Sequence, residues 1–140
     1  LSVRRVLADT NLLVTALGWP RGVPAKALWH IVNEERLVLT EYILEEFRDA
    51  LARKFPSQIT TAERLLLELD YALLPVATSG VVIRDTKDQP ILDSAIAAGV
   101  DIIVTGDKDF HALNLNEPRI LTPRQYLDLV DSLSHAGPIE

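Results

Sequence analysis

The segment Val100-Asp101-Ile102-Ile103-Val104-Thr105-Gly106-Asp107-Lys108-Asp109-Phe110 constrains the fold more than any other. Ile102 to Val104 is a short β-branched run, the pattern of a strand buried on both faces. It stops at Thr105-Gly106, and two aspartates follow at once. Strands of this kind belong to parallel sheets, which place their binding groups just past the carboxyl ends of the strands. Asp107 and Asp109 therefore stand where function is expected. What matters next is whether other strands bring acids to the same rim.

The rest of the chain alternates strands with helices. Val3 to Ala8 reads as a first strand, followed by Asp9-Thr10-Asn11 and an apolar helix over Leu12 to Leu17. Pro24 suits the first turn of a helix through Ala27, Leu28, Ile31 and Val32. Leu37-Val38-Leu39 is a second strand, and Thr40 is placed to cap a helix from Glu41 to Lys54. After the break at Pro56, leucine spacing predicts a helix over Thr61 to Leu74, closed by Pro75. Val81-Val82-Ile83 reads as a third strand ending in Arg84-Asp85-Thr86-Lys87-Asp88. A helix from Pro90 to Ala98 stops at Gly99. Past the opening segment come a turn over Phe110 to Leu113, a strand at Ile120-Leu121 and a last helix from Pro123 to about Leu133. Such alternation implies an α/β fold with a parallel sheet covered on both faces. With 140 residues, 48% of them hydrophobic, a single domain with a full core is expected.

Each of the first four expected strands is followed by acid: Asp9, Glu45 and Glu46, Asp85 and Asp88, Asp107 and Asp109. Acids also serve as helix caps and dipole partners, so any one of them has an ordinary structural explanation. Several on one rim repel one another unless protons or cations intervene. The chain has no cysteine, which excludes disulfides, thiolate zinc sites and cysteine nucleophiles. His30, His111 and His135 lack ligand spacing and read as surface or satisfied histidines. Oxygen-only ligands suit Mg²⁺ or Mn²⁺, whose chemistry in a carboxylate nest is phosphoryl transfer or phosphodiester hydrolysis. Helical geometry separates two neighbours. From the centre of the stripe Ile43, Leu44, Phe47 and Leu51, Glu46 lies about 105° away and Glu45 about 155°. Glu46 borders the core and Glu45 faces water. By the same reasoning Asp88 extends the stripe Ile91, Leu92, Ala95 and Ala98, and Asp93 points away from it.

Four motifs in order now resemble a known family. They are Asp9-Thr10-Asn11, Thr40 with Glu46 six residues on, Asp88 with Ala95 seven residues on, and Thr105-Gly106-Asp107-Lys108-Asp109-Phe110. Together they resemble the PIN domain, and most closely its VapC-like ribonucleases of type II toxin–antitoxin pairs. The resemblance covers Val3 to about Val130 and implies an α/β/α sandwich with a four- to five-stranded parallel sheet. It implies a PIN-like nuclease domain over residues 1–134, with a tail at 135–140. The implied activity is Mg²⁺- or Mn²⁺-dependent endonucleolytic cleavage of single-stranded RNA. By the same resemblance Asp9, Glu46, Asp88 and Asp107 are the metal-binding catalytic acids. Asn11 and Thr105 support them by hydrogen bonds, and Asp109 reaches a second ion. Asp85 and Asp93 flank Asp88 and stand as its replacements or assistants. The implied partners are an antitoxin and a second copy of the chain, in a homodimer or higher homo-oligomer.

Net charge bounds these readings. At −6 the chain has no broad attraction to nucleic acid or membrane, although 14 Arg and Lys leave room for a local basic rim. Arg21, Lys87 and Lys108 are placed to meet phosphate or to balance charge. Trp19 and Trp29 read as core or loop anchors. No apolar run approaches the roughly 18 residues of a membrane span, and no basic-then-apolar leader precedes the first strand. A soluble cytoplasmic protein is expected. Because the chain begins at Leu1 and has no Met, its natural start is expected to be trimmed or to lie outside this sequence. Two rivals share the composition. One is a catalytically silent PIN-like module that only binds RNA or protein. The other is a metal-dependent phosphatase with Asp9 as nucleophile, which usually wants a second acid where Asn11 stands. A 5′-nuclease acting on DNA shares the fold, but 140 residues leave little room for duplex-gripping elements.

Overall fold

A computed structural model describes residues 3–135 of the protein. Five strands form one sheet: β1 (Arg5–Ala8), β2 (Arg36–Leu39), β3 (Tyr71–Leu73), β4 (Ile102–Val104) and β5 (Arg119–Leu121). Their order is β3-β2-β1-β4-β5, and every pairing is parallel. The helices are α1 (Thr10–Gly18), α2 (Val23–Glu34), α3 (Glu41–Lys54), α4 (Ile59–Glu68), α5 (Gln89–Ala97), α6 (Lys108–His111) and α7 (Pro123–His135), with a 3₁₀ turn at Pro56–Gln58. Residues 136–140 of the expected tail lie outside the described residues.

Successive residues of a strand point to opposite faces of the sheet. In β1, Val6, Leu7 and Ala8 are all fully buried, and in β4 Ile102, Ile103 and Val104 are buried in the same way. Helices therefore cover both faces, and the expected α/β/α sandwich is the one observed. Each Leu or Ile buried this way contributes roughly 1.5–3 kcal/mol. The chain adds β2 and β3 on one side of β1, then returns to add β4 and β5 on the other. That reversal makes the gap between β1 and β4 the topological switch point, where open α/β sheets form their crevice. No helix among the described residues is long and apolar enough to cross a membrane.

The third strand is a correction. It is Tyr71–Leu73, paired with β2, whereas Val81–Ile83 joins no strand. Accordingly α4 ends at Glu68, short of the helix expected to run to Leu74. A side chain does the work of a ladder at 81–83. Gln89 donates from Nε2 to the Val81 carbonyl at 2.6 Å and accepts from the Ile83 N–H at 3.1 Å. Ile83 is buried, yet Val82 is 80% exposed, which no central strand residue would be. Asp85 and Asp88 thus follow a turn rather than a strand end, with the Asp88 N–H donating to the Asp85 carbonyl at 3.0 Å. Past α5, Gly99 takes a φ of +67°, and its N–H donates to the Ile96 carbonyl, ending the helix as expected.

Candidate active site

The switch point is lined with acid. Asp9 leaves β1 as the N-cap of α1 and is only 7% exposed. One carboxylate oxygen accepts from the Leu12 N–H at 2.8 Å, and the other accepts from the Thr105 hydroxyl. Thr105 is fully buried at the end of β4. Its hydroxyl also accepts from the Asp107 N–H at 3.0 Å, and its carbonyl accepts from His111 Nε2 at 2.7 Å. One threonine thereby sets the positions of Asp9 and Asp107, and His111 is satisfied by its backbone. Asp107 caps α6, accepting from the Asp109 N–H at 2.8 Å.

Two further acids arrive from helices. Thr40 caps α3 by accepting from the Ile43 N–H at 3.0 Å, which fixes the rotation of the helix on the sheet. Glu46 is then half-buried and Glu45 exposed, as the helical wheel requires. Glu46 is held by the Thr10 hydroxyl, which donates to it at 2.9 Å. Asp88 stands at the start of α5 but makes no capping hydrogen bond. Asp9, Glu46, Asp88 and Asp107 line one cavity of about 320 Å³.

Electrostatic strain accompanies this convergence. Burial raises the Asp9 carboxyl to about 6, against the lowering effect of its bonds to Thr105 and Leu12. Asp88 rises to about 7, first through burial, then through a hydrogen bond with Asp107 and the charges of Asp107, Asp85 and Glu46. As a carboxylate, Asp88 leaves Oδ2 buried with no donor. A proton shared with Asp107, a water in the cavity or a cation would satisfy that oxygen. Carboxylate oxygen is the donor type that a hard divalent cation takes, although among the described residues no three of Asp9, Glu46, Asp88 and Asp107 offer oxygens within 4.8 Å of one another.

The remaining expected residues separate. Asn11 lines the cavity but is exposed, and among the described residues it bonds none of the acids; Thr10 does the supporting work instead. Asp109 is gripped by Arg84, whose guanidinium donates to its two oxygens at 2.8 and 2.9 Å. Asp85, Asp88 and Asp109 nonetheless each offer an oxygen within 4.8 Å of the others, so Asp88 belongs to two acid groups at once. Asp93 does not point away from the core as the wheel had it. It is 9% exposed and accepts from Ser79 Oγ at 2.7 Å and Gln89 Nε2 at 2.9 Å, bonds that hold its pKa below the usual value. Asp93 secures the 79–83 segment and does not line the cavity.

Sequence reasoning missed Asp49, Arg53 and Lys54, which line the cavity beyond Glu46. Their signal was available, since 46, 49, 50, 53 and 54 share a helix face. Arg84 carried no such signal, because its partner lies 25 residues away, beyond α5 and β4.

Comparison with known proteins agrees with this fold. The family model described as PIN domain matches residues 5–109, a span from β1 to Asp109 that holds every candidate acid. The uncharacterized protein MJ1680 of Methanocaldococcus jannaschii is 28% identical, over 89% of this chain and 90% of that protein. The fold is similar to that of a chain in the crystal structure of VapBC2 from Rickettsia felis bound to a DNA fragment from their promoter. That match has a TM-score of 0.62 and 16% identity, and it covers 84% of this chain and 96% of that one. A five-stranded parallel sheet, a switch-point cavity lined by five acids and a family model spanning three quarters of the sequence lead to one assignment: the chain belongs to the PIN domain family.

Proposed function

We propose that the protein is a metal-dependent endoribonuclease that hydrolyses phosphodiester bonds of single-stranded RNA, and that it is the toxin of a toxin–antitoxin pair. Membership of the PIN domain family and likeness in fold to a chain of a VapBC2 complex support this reading. The observation that carries it is Asp88 Oδ2, buried and without a donor beside three other acids. Asp9, Glu46, Asp88 and Asp107 are the residues that would hold Mg²⁺ or Mn²⁺, and Asp109 would join a second ion on release from Arg84. The bound cation supplies Lewis-acid stabilisation of charge at the phosphodiester and a water of lowered pKa. The chain's own part is to position. Thr105 fixes Asp9 and Asp107, Thr10 fixes Glu46, and Arg53 with Lys54 offers positive charge to RNA phosphates at the exposed mouth. The proposed place of action is the cytoplasm.

The phosphatase reading is weaker. That chemistry usually wants a second acid two residues after the nucleophile, and Asn11 stands there. Melting the protein in Mn²⁺, in Mg²⁺ and in chelator, alongside cleavage assays on single-stranded RNA, tests the proposal. Binding to the folded state alone stabilises by about 2.7 kcal/mol at a hundredfold excess over Kd, so the midpoints should separate. Identical midpoints up to millimolar metal, with no cleavage, would leave a silent RNA- or protein-binding module instead.

A further inference from the structure

A second concave surface opens beside the acidic cavity, a groove of about 280 Å³ lined by Tyr42, Leu73, Pro75, Val76, Pro90 and Ser94. The same two helices build both. On α3, Tyr42 and Glu46 are four residues apart and so lie on one face, the first in the groove and the second in the cavity. At the start of α5, Pro90 lines the groove and Asp88 the cavity. The floor is fixed, because Ser94 Oγ donates to the Pro75 carbonyl at 3.0 Å and ties α5 to the chain leaving β3. The walls are apolar and open to solvent, with Leu73 49% and Val76 92% exposed. Of the lining residues Glu41 alone is charged, and an acid there opposes a phosphate.

We infer that this groove is a nucleobase subsite, in which a base next to the cleaved phosphodiester stacks on Tyr42 against Pro75, Val76 and Pro90. The inference rests on the ribonuclease reading above. Its occupant follows from the chemistry of the walls. A single strand held in the acidic cavity by its phosphate carries its next base along the carboxyl-end rim of the sheet, where the residues that follow β2 and β3 line the groove. The groove there accepts a flat, neutral, largely apolar face and discourages an anion. Aromatic side chains bind unpaired bases by stacking, with little regard to sequence. The Tyr42 phenol also feels the site directly. Burial raises its pKa, and so do the charges of Glu46, Asp88 and Asp85. The phenol therefore stays protonated, able to donate a hydrogen bond to a base edge or a ribose hydroxyl.

Cleavage of a short oligoribonucleotide, compared with copies carrying an abasic ribose at each position flanking the cut, tests the subsite. In the unaltered protein one abasic position should lower kcat/KM about tenfold, the scale of one base–aromatic stack. Tyr42→Ala should abolish that difference by slowing cleavage of the intact strand to the abasic rate, and Tyr42→Phe should keep it. Val76→Asp alters a residue too exposed to matter for packing and should also collapse the ratio; because a ratio is read, general repulsion of RNA cancels. A ratio near one in the unaltered protein, or an unchanged ratio in both Tyr42→Ala and Val76→Asp, would overturn the subsite while leaving the ribonuclease reading intact. Absence of cleavage of any single-stranded RNA by the unaltered protein would overturn both.

Discussion

Asp88 and Asp93 show how far apart two acids on one short helix can be. Asp88 has a pKa raised from the ordinary 3.8 to about 7, and so it costs the metal-free fold stability when ionised. The folded state keeps a proton that the unfolded chain has lost between about pH 4 and 7. Stability attributable to Asp88 therefore falls as pH rises through that window and is level above it. Asp88→Asn is expected to be as stable as the unaltered protein or more so at pH 8 in chelator, and to lose metal-dependent RNA cleavage. Melting temperature against pH checks the first and a cleavage assay the second; a clear loss of stability at pH 8 would mean that Asp88 does structural work not seen here. Asp93 has the opposite sign. Its pKa is lowered by the hydroxyl of Ser79 and then the amide of Gln89, so its contribution is present above the unfolded value and lost as pH falls through the folded one. Asp93→Ala should cost about 1–3 kcal/mol by chemical denaturation at pH 7, the usual toll of leaving half-buried partners without their acceptor. Sequence spacing picked Asp88 over Asp93 as the cavity residue but misjudged Asp93, because nothing at positions 79 to 83 announced that a loop would fold over it.

Among the elements, α3 was the most legible. A capping Thr40, an apolar stripe at helical spacing and a continuous run to Lys54 determined its span and its rotation together. That rotation yields a paired test. Glu46→Gln is expected to lose most RNA cleavage and to weaken metal binding, whereas Glu45→Gln should retain both and shift stability by no more than about 0.5 kcal/mol. Kinetics and calorimetry on the two variants decide it, and full activity in both would remove α3 from the site. The strands β1, β2 and β4 were legible for a similar reason, being short apolar runs with firm stops. β3 was not. Tyr71-Ala72-Leu73 is a poorer strand former than Val81-Val82-Ile83, yet it wins the place beside β2. Leucines at 65, 66, 69 and 73 continued a helical period past its true end, and the amide of Gln89 satisfied the better strand former locally. Pairing in a sheet depends on neighbours more than on intrinsic preference. Gln89→Ala should therefore speed amide exchange at Ile83 while leaving the amides of β3 protected.

For the whole molecule, the convergence of acids came from the topology more than from any one motif. Asp9 and Asp107 are 98 positions apart and meet because β1 and β4 are neighbours in the sheet. The bases at the mouth, Arg53 and Lys54, escaped notice since net charge says nothing of where charges sit. A partner that occludes this mouth should carry the opposite pattern: basic groups for the cavity, acidic ones for Arg53 and Lys54. Raising salt should then slow its association more than it speeds its release, a difference that stopped-flow mixing can measure. The sheet itself limits how two copies of the chain can meet. Its outermost strands, β3 and β5, are three residues each, and prolines stand close beyond both, at Pro75 and Pro123. Stubby borders interrupted by residues without an N–H offer almost no ladder for another chain to extend. Self-association is thus left to helical surfaces, and amide exchange along Tyr71–Leu73 should not change as the protein is concentrated.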